Sequence, residues 1–326
     1  MSTLWKIENL KKYFPVEKSF IEKMFSRKTS YVKAVDGVDF SVVEGEIFTL
    51  AGESGCGKTT TGMLLVRLVE PTSGKMLFEG RDICALKGNE LRKLRRKIQI
   101  IFQDPYASLN PRMRIGKAVG QPLEIHRSVA GLEKKKRVLE ALSEVGLTPP
   151  EKFVDLYPHQ LSGGQRQRVA IARSIIMRPT FIVADEPVSM IDVSIRTTII
   201  DLMMSLREKL GITYMFITHD LAVAKYISDK IAIMYLGKIV ELCEKTELFS
   251  NPLHPYTRAL LSAIPVPNPE RKRKSIQLAG EVPSAIRVPP GCRFHPRCEY
   301  ATEKCKEEEP TLVNINGHLV ACHAEF

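Results

Sequence analysis

Short runs of apolar residues alternate with longer segments of helical periodicity over the first 250 residues of the chain. The runs at 98–102, 181–184, 214–217 and 231–235 are rich in Ile and Val and are bounded by polar or turn residues. Such runs are typical of parallel strands that are buried on both faces. Because helical patterns separate them, the sequence predicts an α/β fold.

The strand pattern disappears over residues 104–165. Within this stretch, residues 132–145 place Val138, Leu142 and Val145 on one helical face. We therefore predict a helical subdomain inserted at about 104–165.

The composition changes near Asn251, where eight prolines and a basic run fall between residues 251 and 292. Proline-rich and charged stretches of this kind mark domain boundaries. We predict a main domain over 1–250 and a compact, turn-rich C-terminal extension over 251–326. Because the extension follows a finished domain, we expect it to stand apart from the main functional site.

Residues 46–69 combine an apolar strand, a glycine-rich turn and a helix. The turn matches the phosphate-loop pattern G-x-x-x-x-G-K-[ST] in the strand-to-helix context that the pattern requires. Its backbone N–H groups and the helix N-terminus suit phosphate, Lys58 suits the β and γ phosphates, and the Thr59 hydroxyl suits Mg²⁺. The predicted nucleotide-binding loop comprises Gly52, Glu53, Ser54, Gly55, Cys56, Gly57, Lys58, Thr59 and Thr60.

A second chemical motif ends the apolar run at 181–184, which is followed by Asp185 and Glu186. Two carboxylates at the end of one strand can divide the work of a nucleotide hydrolase. One holds Mg²⁺ through water, and the other orients or deprotonates the attacking water. We predict these roles for Asp185 and Glu186 respectively.

Three further motifs carry a resemblance to ABC ATPases, which are phosphate-loop NTPases with a mixed sheet and a helical subdomain. The segment Leu161-Ser162-Gly163-Gly164-Gln165 resembles their signature motif. Gln103 resembles the glutamine of the Q-loop, and His219 resembles the switch histidine.

The resemblance implies a head-to-tail dimer, in which the signature of one subunit caps the γ-phosphate held by the other. It implies catalytic roles for Glu186, His219 and Gln103. It also places Gln103 at the Mg²⁺ site, together with Thr59 and Asp185. Asp192 ends the segment S-M-I-D, where the family usually has S-A-L-D, and would act in trans with Leu161, Ser162, Gly163, Gly164 and Gln165. An aromatic residue of the first strand would stack on adenine, and Phe14 aligns better than Tyr13.

Four of the seven cysteines, Cys292, Cys298, Cys305 and Cys322, lie in the last 35 residues with the spacing C-x₅-C-x₆-C-x₁₆-C. No secretion signal precedes them, so metal chemistry is favoured over disulfides. The extension is similar to that of the second ATPase of oligopeptide/dipeptide importers, whose precedent is a [4Fe–4S] cluster. Zn²⁺ and free thiols stay open as alternatives; zinc is disfavoured because the tight C-x₂-C spacing is absent.

The net charge of +11 suits phosphate ligands, nucleic acid or an anionic membrane face, and charge alone does not choose among them. No uncharged run approaches the roughly 20 residues that span a bilayer. The narrower resemblance runs from residue 32 to 265. It implies an ATPase on the cytoplasmic face of the membrane, with two permease subunits, a second related ATPase and, indirectly, an extracytoplasmic binding protein. Homodimer and heterodimer both stay open.

Peptides are the expected cargo, with oligosaccharide or nickel as alternatives. A non-transport ABC ATPase acting on DNA or the ribosome is the competing function. Lys58 and Asp185 are only 127 residues apart, which leaves no room for the long coiled coil of DNA-repair relatives. Translation-factor relatives carry two nucleotide domains, whereas this chain has one, so we expect no nucleic-acid partner.

Overall fold

The computed structural model describes residues 2–16, 30–264, 276, 278 and 280–324. The chain divides into two compact units. The first unit contains residues 1–42, 48–84 and 218–326, and the second contains 43–47 and 85–217. The described residues beyond 250 thus belong to the first unit, and the domain boundary near Asn251 stays a prediction.

The first unit contains two sets of paired strands. A four-stranded sheet has the order β2-β1-β4-β5, and β4 pairs antiparallel with both of its neighbours. In the other set the order is β11-β12-β10-β9-β3, where only β3 and β9 run parallel. The strands are β1 (Thr3–Pro15), β2 (Tyr31–Val43), β3 (Ile47–Ala51), β4 (Ser73–Phe78), β5 (Arg81–Asp82), β9 (Lys230–Tyr235), β10 (Lys238–Glu244), β11 (Val313–Ile315) and β12 (His318–Val320).

The second unit contains three parallel strands in the order β6-β7-β8. They are β6 (Ile98–Ile101), β7 (Phe181–Asp185) and β8 (Thr213–Thr218). All five residues of β7 are buried, as expected of a central parallel strand without polar alternation.

The helices follow the same division. The first unit contains α1 (Lys58–Leu65), α9 (Leu221–Ile227), α10 (Lys245–Ser250), α11 (Pro255–Ser262) and α12 (Glu303–Glu307), and the second contains α2 (Gly88–Lys97), α3 (Pro105–Ser108), α4 (Ile115–Ile125), α5 (Gly131–Glu144), α6 (Glu151–Val154), α7 (Gly163–Ile175) and α8 (Val193–Leu210). Every residue over 104–165 is described and none of them lies in a strand, as the periodicity indicates. Among the described residues, no helix is long and apolar enough to cross a membrane.

The predicted strands at 98–102, 181–184, 214–217 and 231–235 are confirmed as β6, β7, β8 and β9. In the first unit, β9 and the C-terminal extension share one core. Tyr235, Tyr256 and Phe294 are almost fully buried and pack with ring centroids 4.8–5.4 Å apart. Aromatic contacts of this kind add to the stability gained from burying the rings.

Candidate nucleotide-binding site

The phosphate loop lies between β3 and α1, as predicted, and two of its glycines are required by close backbone contacts. Gly52 and Gly57 have φ angles of 150° and 111°. A Cβ on Gly52 would lie 2.2 Å from the Met234 carbonyl oxygen, and one on Gly57 would lie 2.1 Å from the Ala34 carbonyl oxygen. No side chain fits at those distances, so only glycine allows the loop to pass this close to its neighbours.

Lys58 is the first residue of α1 and is buried, and its ammonium group closes the loop on itself. The Nζ donates to the carbonyl oxygens of Gly52 (2.8 Å) and Glu53 (2.9 Å). It also lies 3.7 Å from Cys56 Sγ, so all three ammonium donors are directed to atoms of the loop itself. Thr59 and Thr60 follow in the first turn of the helix, where N–H groups point outward to an anion.

The two aromatic candidates for the adenine platform differ in their surroundings. The Tyr13 hydroxyl donates to Asp36, which also accepts from Arg293. Burial and this hydrogen bond raise the pKa of Tyr13 to about 12. The Phe14 ring is 37% exposed, and the Lys12 ammonium lies 4.9 Å from its centroid. Phe14 is therefore partly exposed, with the Lys12 ammonium over its ring, whereas the hydroxyl of Tyr13 is engaged in a polar network.

In the second unit, the two catalytic candidates Gln103 and Glu186 meet. β6 and β7 are parallel neighbours, so the residues that follow them lie at one edge of the sheet. Gln103 Nε2 donates to Glu186 Oε2 at 2.9 Å. Asp185, the last residue of β7, is buried with 4% exposure. The geometry thus brings together an amide and a carboxylate that the chain separates by 83 residues.

The backbone of Glu186 is held in the left-handed region, at a φ of 45°. Non-glycine residues reach this region at a cost and keep it where surrounding contacts fix it. Glu186 N donates to the Ile217 carbonyl at 2.9 Å, and its own carbonyl accepts from Ser189 N at 3.1 Å and Ser189 Oγ at 3.0 Å. These bonds fix the direction of the carboxylate.

The signature segment opens α7. Ser162 is the N-cap: its Oγ accepts from Gln165 N (3.3 Å), and its N–H donates to Gln165 Oε1 (3.0 Å). This reciprocal capping box fixes the first turn of the helix. Leu161 and Gly164 are buried. At Gly163, by contrast, an added Cβ would meet nothing within 4 Å. The helix N-terminus therefore has room for a bulky anion beside Gly163.

The remaining candidates lie at element ends. Asp192 is exposed and is the N-cap residue of α8. In the enlarged segment before it, Ile191 is buried, whereas Met190 is 59% exposed. His219 follows β8 directly, and the next residue, Asp220, caps α9 by accepting from Ala222 N at 2.8 Å.

The four C-terminal cysteines line a single cavity of about 50 Å³, together with His254. Burial raises the pKa of Cys292 to about 11, and it also raises the pKa values of Cys298 and Cys322. Cys292 N donates to the Cys305 carbonyl at 2.8 Å, which joins two of the cysteine segments. Nevertheless, among the described residues no group of three or more His, Cys, Asp or Glu side chains is arranged to hold a metal ion. The thiols converge without forming a ready coordination shell.

The expectation that the extension stands apart from the main site is wrong. Arg297, in the segment between Cys292 and Cys298, forms an ion pair with Glu53 of the phosphate loop. The Glu53 backbone N–H also donates to the Tyr256 hydroxyl at 2.9 Å. Proline content and chain order indicated a boundary, but they carry no information on contacts between residues 200 or more positions apart. No local signal in the sequence marks Arg297 as a partner of Glu53.

Comparisons with known proteins show which family the chain resembles. Residues 35–189 match the family model for ABC transporters, and residues 240–305 match that for the oligopeptide/dipeptide transporter C-terminal region. The chain is 48% identical to the oligopeptide transport ATP-binding protein AppF of Bacillus subtilis, over 98% of this chain and 97% of that protein. It is 48% identical to the dipeptide transport ATP-binding protein DppF of Haemophilus influenzae, over 96% and 94% of the two chains.

Solved structures with the same fold include two ATP-binding cassettes. The dimeric cassette MJ0796, bound to ADP and Pi, superposes with a TM-score of 0.64 at 31% identity, over 74% of this chain and 98% of that one. The protein cbiO1 from Clostridium perfringens, part of the transporter complex cbiONQ, gives 0.64 at 27% identity, over 77% and 92%. The chain therefore belongs to the ATP-binding subunits of ABC transporters, within the oligopeptide/dipeptide family. It is an ATPase, and its ligands are ATP and Mg²⁺.

Proposed function

We propose that this chain is one of the two ATPase subunits that power peptide import through an ABC transporter. It works at the cytoplasmic face of the membrane with two permease subunits, a second related ATPase and, indirectly, an extracytoplasmic binding protein that selects the solute. The observation that carries the ATPase role is the contact between Gln103 and Glu186 at the ends of adjacent parallel strands. The names of the full-length relatives support peptides as cargo over oligosaccharide or nickel.

The residues divide the reaction as follows. The phosphate loop and Lys58 bind the triphosphate, and Thr59, Asp185 and Gln103 would hold Mg²⁺, which neutralises charge on the phosphates. Glu186 accepts the proton of the attacking water, while Gln103 orients its carboxylate through the 2.9 Å bond.

We assign the remaining contacts from the family resemblance and from the exposure of the side chains. Phe14 stacks on the base, since its side chain is partly exposed while the Tyr13 hydroxyl is held by Asp36. His219 contacts the γ-phosphate. Leu161 to Gln165 and Asp192 complete the site on the partner subunit.

Peptide-stimulated hydrolysis tests this function. We expect the purified transporter, assembled in liposomes with its permeases, second ATPase and binding protein, to hydrolyse ATP several-fold faster with a short peptide mixture than without it. Oligosaccharides and Ni²⁺ serve as the comparison ligands, because they are the alternative cargoes left open by the sequence. Stimulation by either of these in place of peptides would contradict the proposed cargo and leave the ATPase role intact.

We further propose that Cys292, Cys298, Cys305 and Cys322 hold one structural metal centre, a [4Fe–4S] cluster in preference to Zn²⁺. Their convergence on one cavity supports this, because four thiols are a suitable ligand set for either centre. The extension has little apolar material for a core of its own, and a metal centre would fix its turns. When bound, the centre supplies cross-links between the cysteine segments and no step in hydrolysis.

Metal analysis tests this second proposal. We expect protein purified without oxygen to contain about four irons and about four sulfides per chain. About one zinc per chain would support the alternative centre. If the protein contains neither iron nor zinc, the four thiols are free, and this result would contradict a metal centre. Cys298→Ser should lower the stability of the extension more than it lowers ATP turnover at moderate temperature.

A further inference from the structure

The C-terminal extension contacts the nucleotide loop through a two-pronged ion pair. Arg297 Nη1 lies 2.8 Å from Glu53 Oε2, and Arg297 Nη2 lies 3.2 Å from Glu53 Oε1. The Arg297 side chain is 8% exposed and that of Glu53 is 26% exposed, so solvent screens this pair less than a pair on the open surface. Parallel bonds from a guanidinium to a carboxylate fix orientation as well as charge.

Glu53 places a carboxylate in a loop whose ligand is an anion. It is the first variable position of the loop, directly after Gly52, and its carbonyl accepts a hydrogen bond from Lys58. A carboxylate beside a bound triphosphate would repel it, and this repulsion is stronger in a partly buried site than in water. Arg297 supplies the compensating positive charge from outside the loop.

The backbone of Glu53 is held from the same side. The Glu53 N–H donates to the Tyr256 hydroxyl, so this N–H points to the extension. Tyr256 and Phe294 pack together and against Tyr235 of β9. Arg297 ends a 3₁₀ turn (His295–Arg297) that begins directly after Phe294. The guanidinium therefore projects from a turn that directly follows a ring of the buried aromatic core.

We propose that Arg297 is a positioning residue for ATP: it neutralises Glu53 and holds the phosphate loop in the shape that receives the triphosphate. This inference rests on the proposed ATPase function and extends the nucleotide site into the C-terminal extension. Arg297 acts through Glu53 and does not touch the nucleotide. Its loss should therefore weaken ATP binding and leave the chemical step largely unaffected.

A double-mutant cycle between Arg297→Met and Glu53→Gln tests the proposal on the full chain and on the assembled complex. We expect Arg297→Met to raise the Kd for ATP about tenfold, because it leaves a half-buried carboxylate in the phosphate loop without its partner. Turnover at saturating ATP should change less than about twofold, so the effect appears in KM. In the Glu53→Gln background, the same arginine substitution should cost less than about threefold, because no carboxylate is left to neutralise.

Arg258→Met is the matched control. Arg258 lies in the same extension, is exposed, and donates to the Pro252 carbonyl at 2.8 Å. Its substitution should leave the Kd for ATP unchanged. Unchanged affinity in Arg297→Met would overturn the inference. So would a loss of equal size in the Glu53→Gln background, since that pattern indicates a damaged extension. Failure of the wild-type chain to bind ATP would overturn the proposed function itself.

Discussion

Glu186→Gln is expected to lower ATP turnover by on the order of a hundredfold or more while ATP binding is retained. The amide keeps the size and hydrogen bonding of the side chain but cannot accept the proton of the attacking water. The phosphate loop is unchanged by this substitution. Turnover and nucleotide affinity should be measured on the assembled transporter, with the second ATPase inactivated as well so that its activity does not mask the loss.

Two comparison variants sharpen this result. Lys58→Ala should instead weaken ATP binding, because it removes both the contact with phosphate and the bonds that close the loop on Gly52 and Glu53. Glu208→Gln changes an exposed glutamate of α8 and should behave as wild type. Wild-type turnover in Glu186→Gln would exclude this residue as the base. A parallel loss of affinity would mean that the carboxylate also positions the nucleotide.

The local parts of the site were predictable from sequence because short motifs specify them. A glycine pattern between an apolar strand and a helix predicts a phosphate loop, and β3, the loop and α1 follow that order. The apolar run at 181–184 that ends in two carboxylates predicts a strand followed by Asp185 and Glu186, and β7 ends at Asp185. In each case the spacing within one or two elements carries the information.

Contacts between distant segments could not be predicted in this way. The pair between Arg297 and Glu53 joins residues 244 positions apart, and the buried pair between Arg293 and Asp36 joins residues 257 apart. Neither partner lies in a pattern that depends on the other. The proline-rich stretch before them suggests a separate domain, whereas the aromatic core around Tyr256 and Phe294 packs the extension against β9. Burial of these rings stabilises the contact between the extension and β9, and the proline content of the sequence does not predict this contact.

The choice between Phe14 and Tyr13 shows the same limit on a smaller scale. Both are aromatic residues of β1, and sequence alone ranks them only by resemblance. The structure gives Tyr13 a buried partner, Asp36, that comes from β2 and lies 23 positions away. Phe14 stays 37% exposed at the same strand end. A contact between two strands thus distinguishes Tyr13 from Phe14, although these neighbours have almost the same sequence context.

We expect the ATPase to work only as a pair, preferably with a non-identical partner, and Gly163→Asp to expose this requirement. Gly163 is the first residue of α7, and a side chain there meets nothing within 4 Å. Acidic residues stabilise the first turn of a helix, so the fold should tolerate the change. The same negative charge would repel a γ-phosphate that a partner subunit presents to this helix end. Turnover of the assembled pair, with the other composite site inactivated so that its activity does not mask the loss, should therefore fall roughly a hundredfold.

The isolated chain provides the contrast that makes this prediction specific to a shared site. ATP binding to the isolated Gly163→Asp chain should match wild type, because the signature acts on the nucleotide of the partner, and the isolated wild-type chain should hydrolyse ATP poorly. Leu132→Asp adds the same charge to the first turn of α5 at a side chain that is 87% exposed, and it should leave turnover unchanged. Sedimentation under ATP provides the second measurement. A strict monomer with full activity, or equal losses of binding and turnover in the isolated Gly163→Asp chain, would show that one subunit contains the whole site.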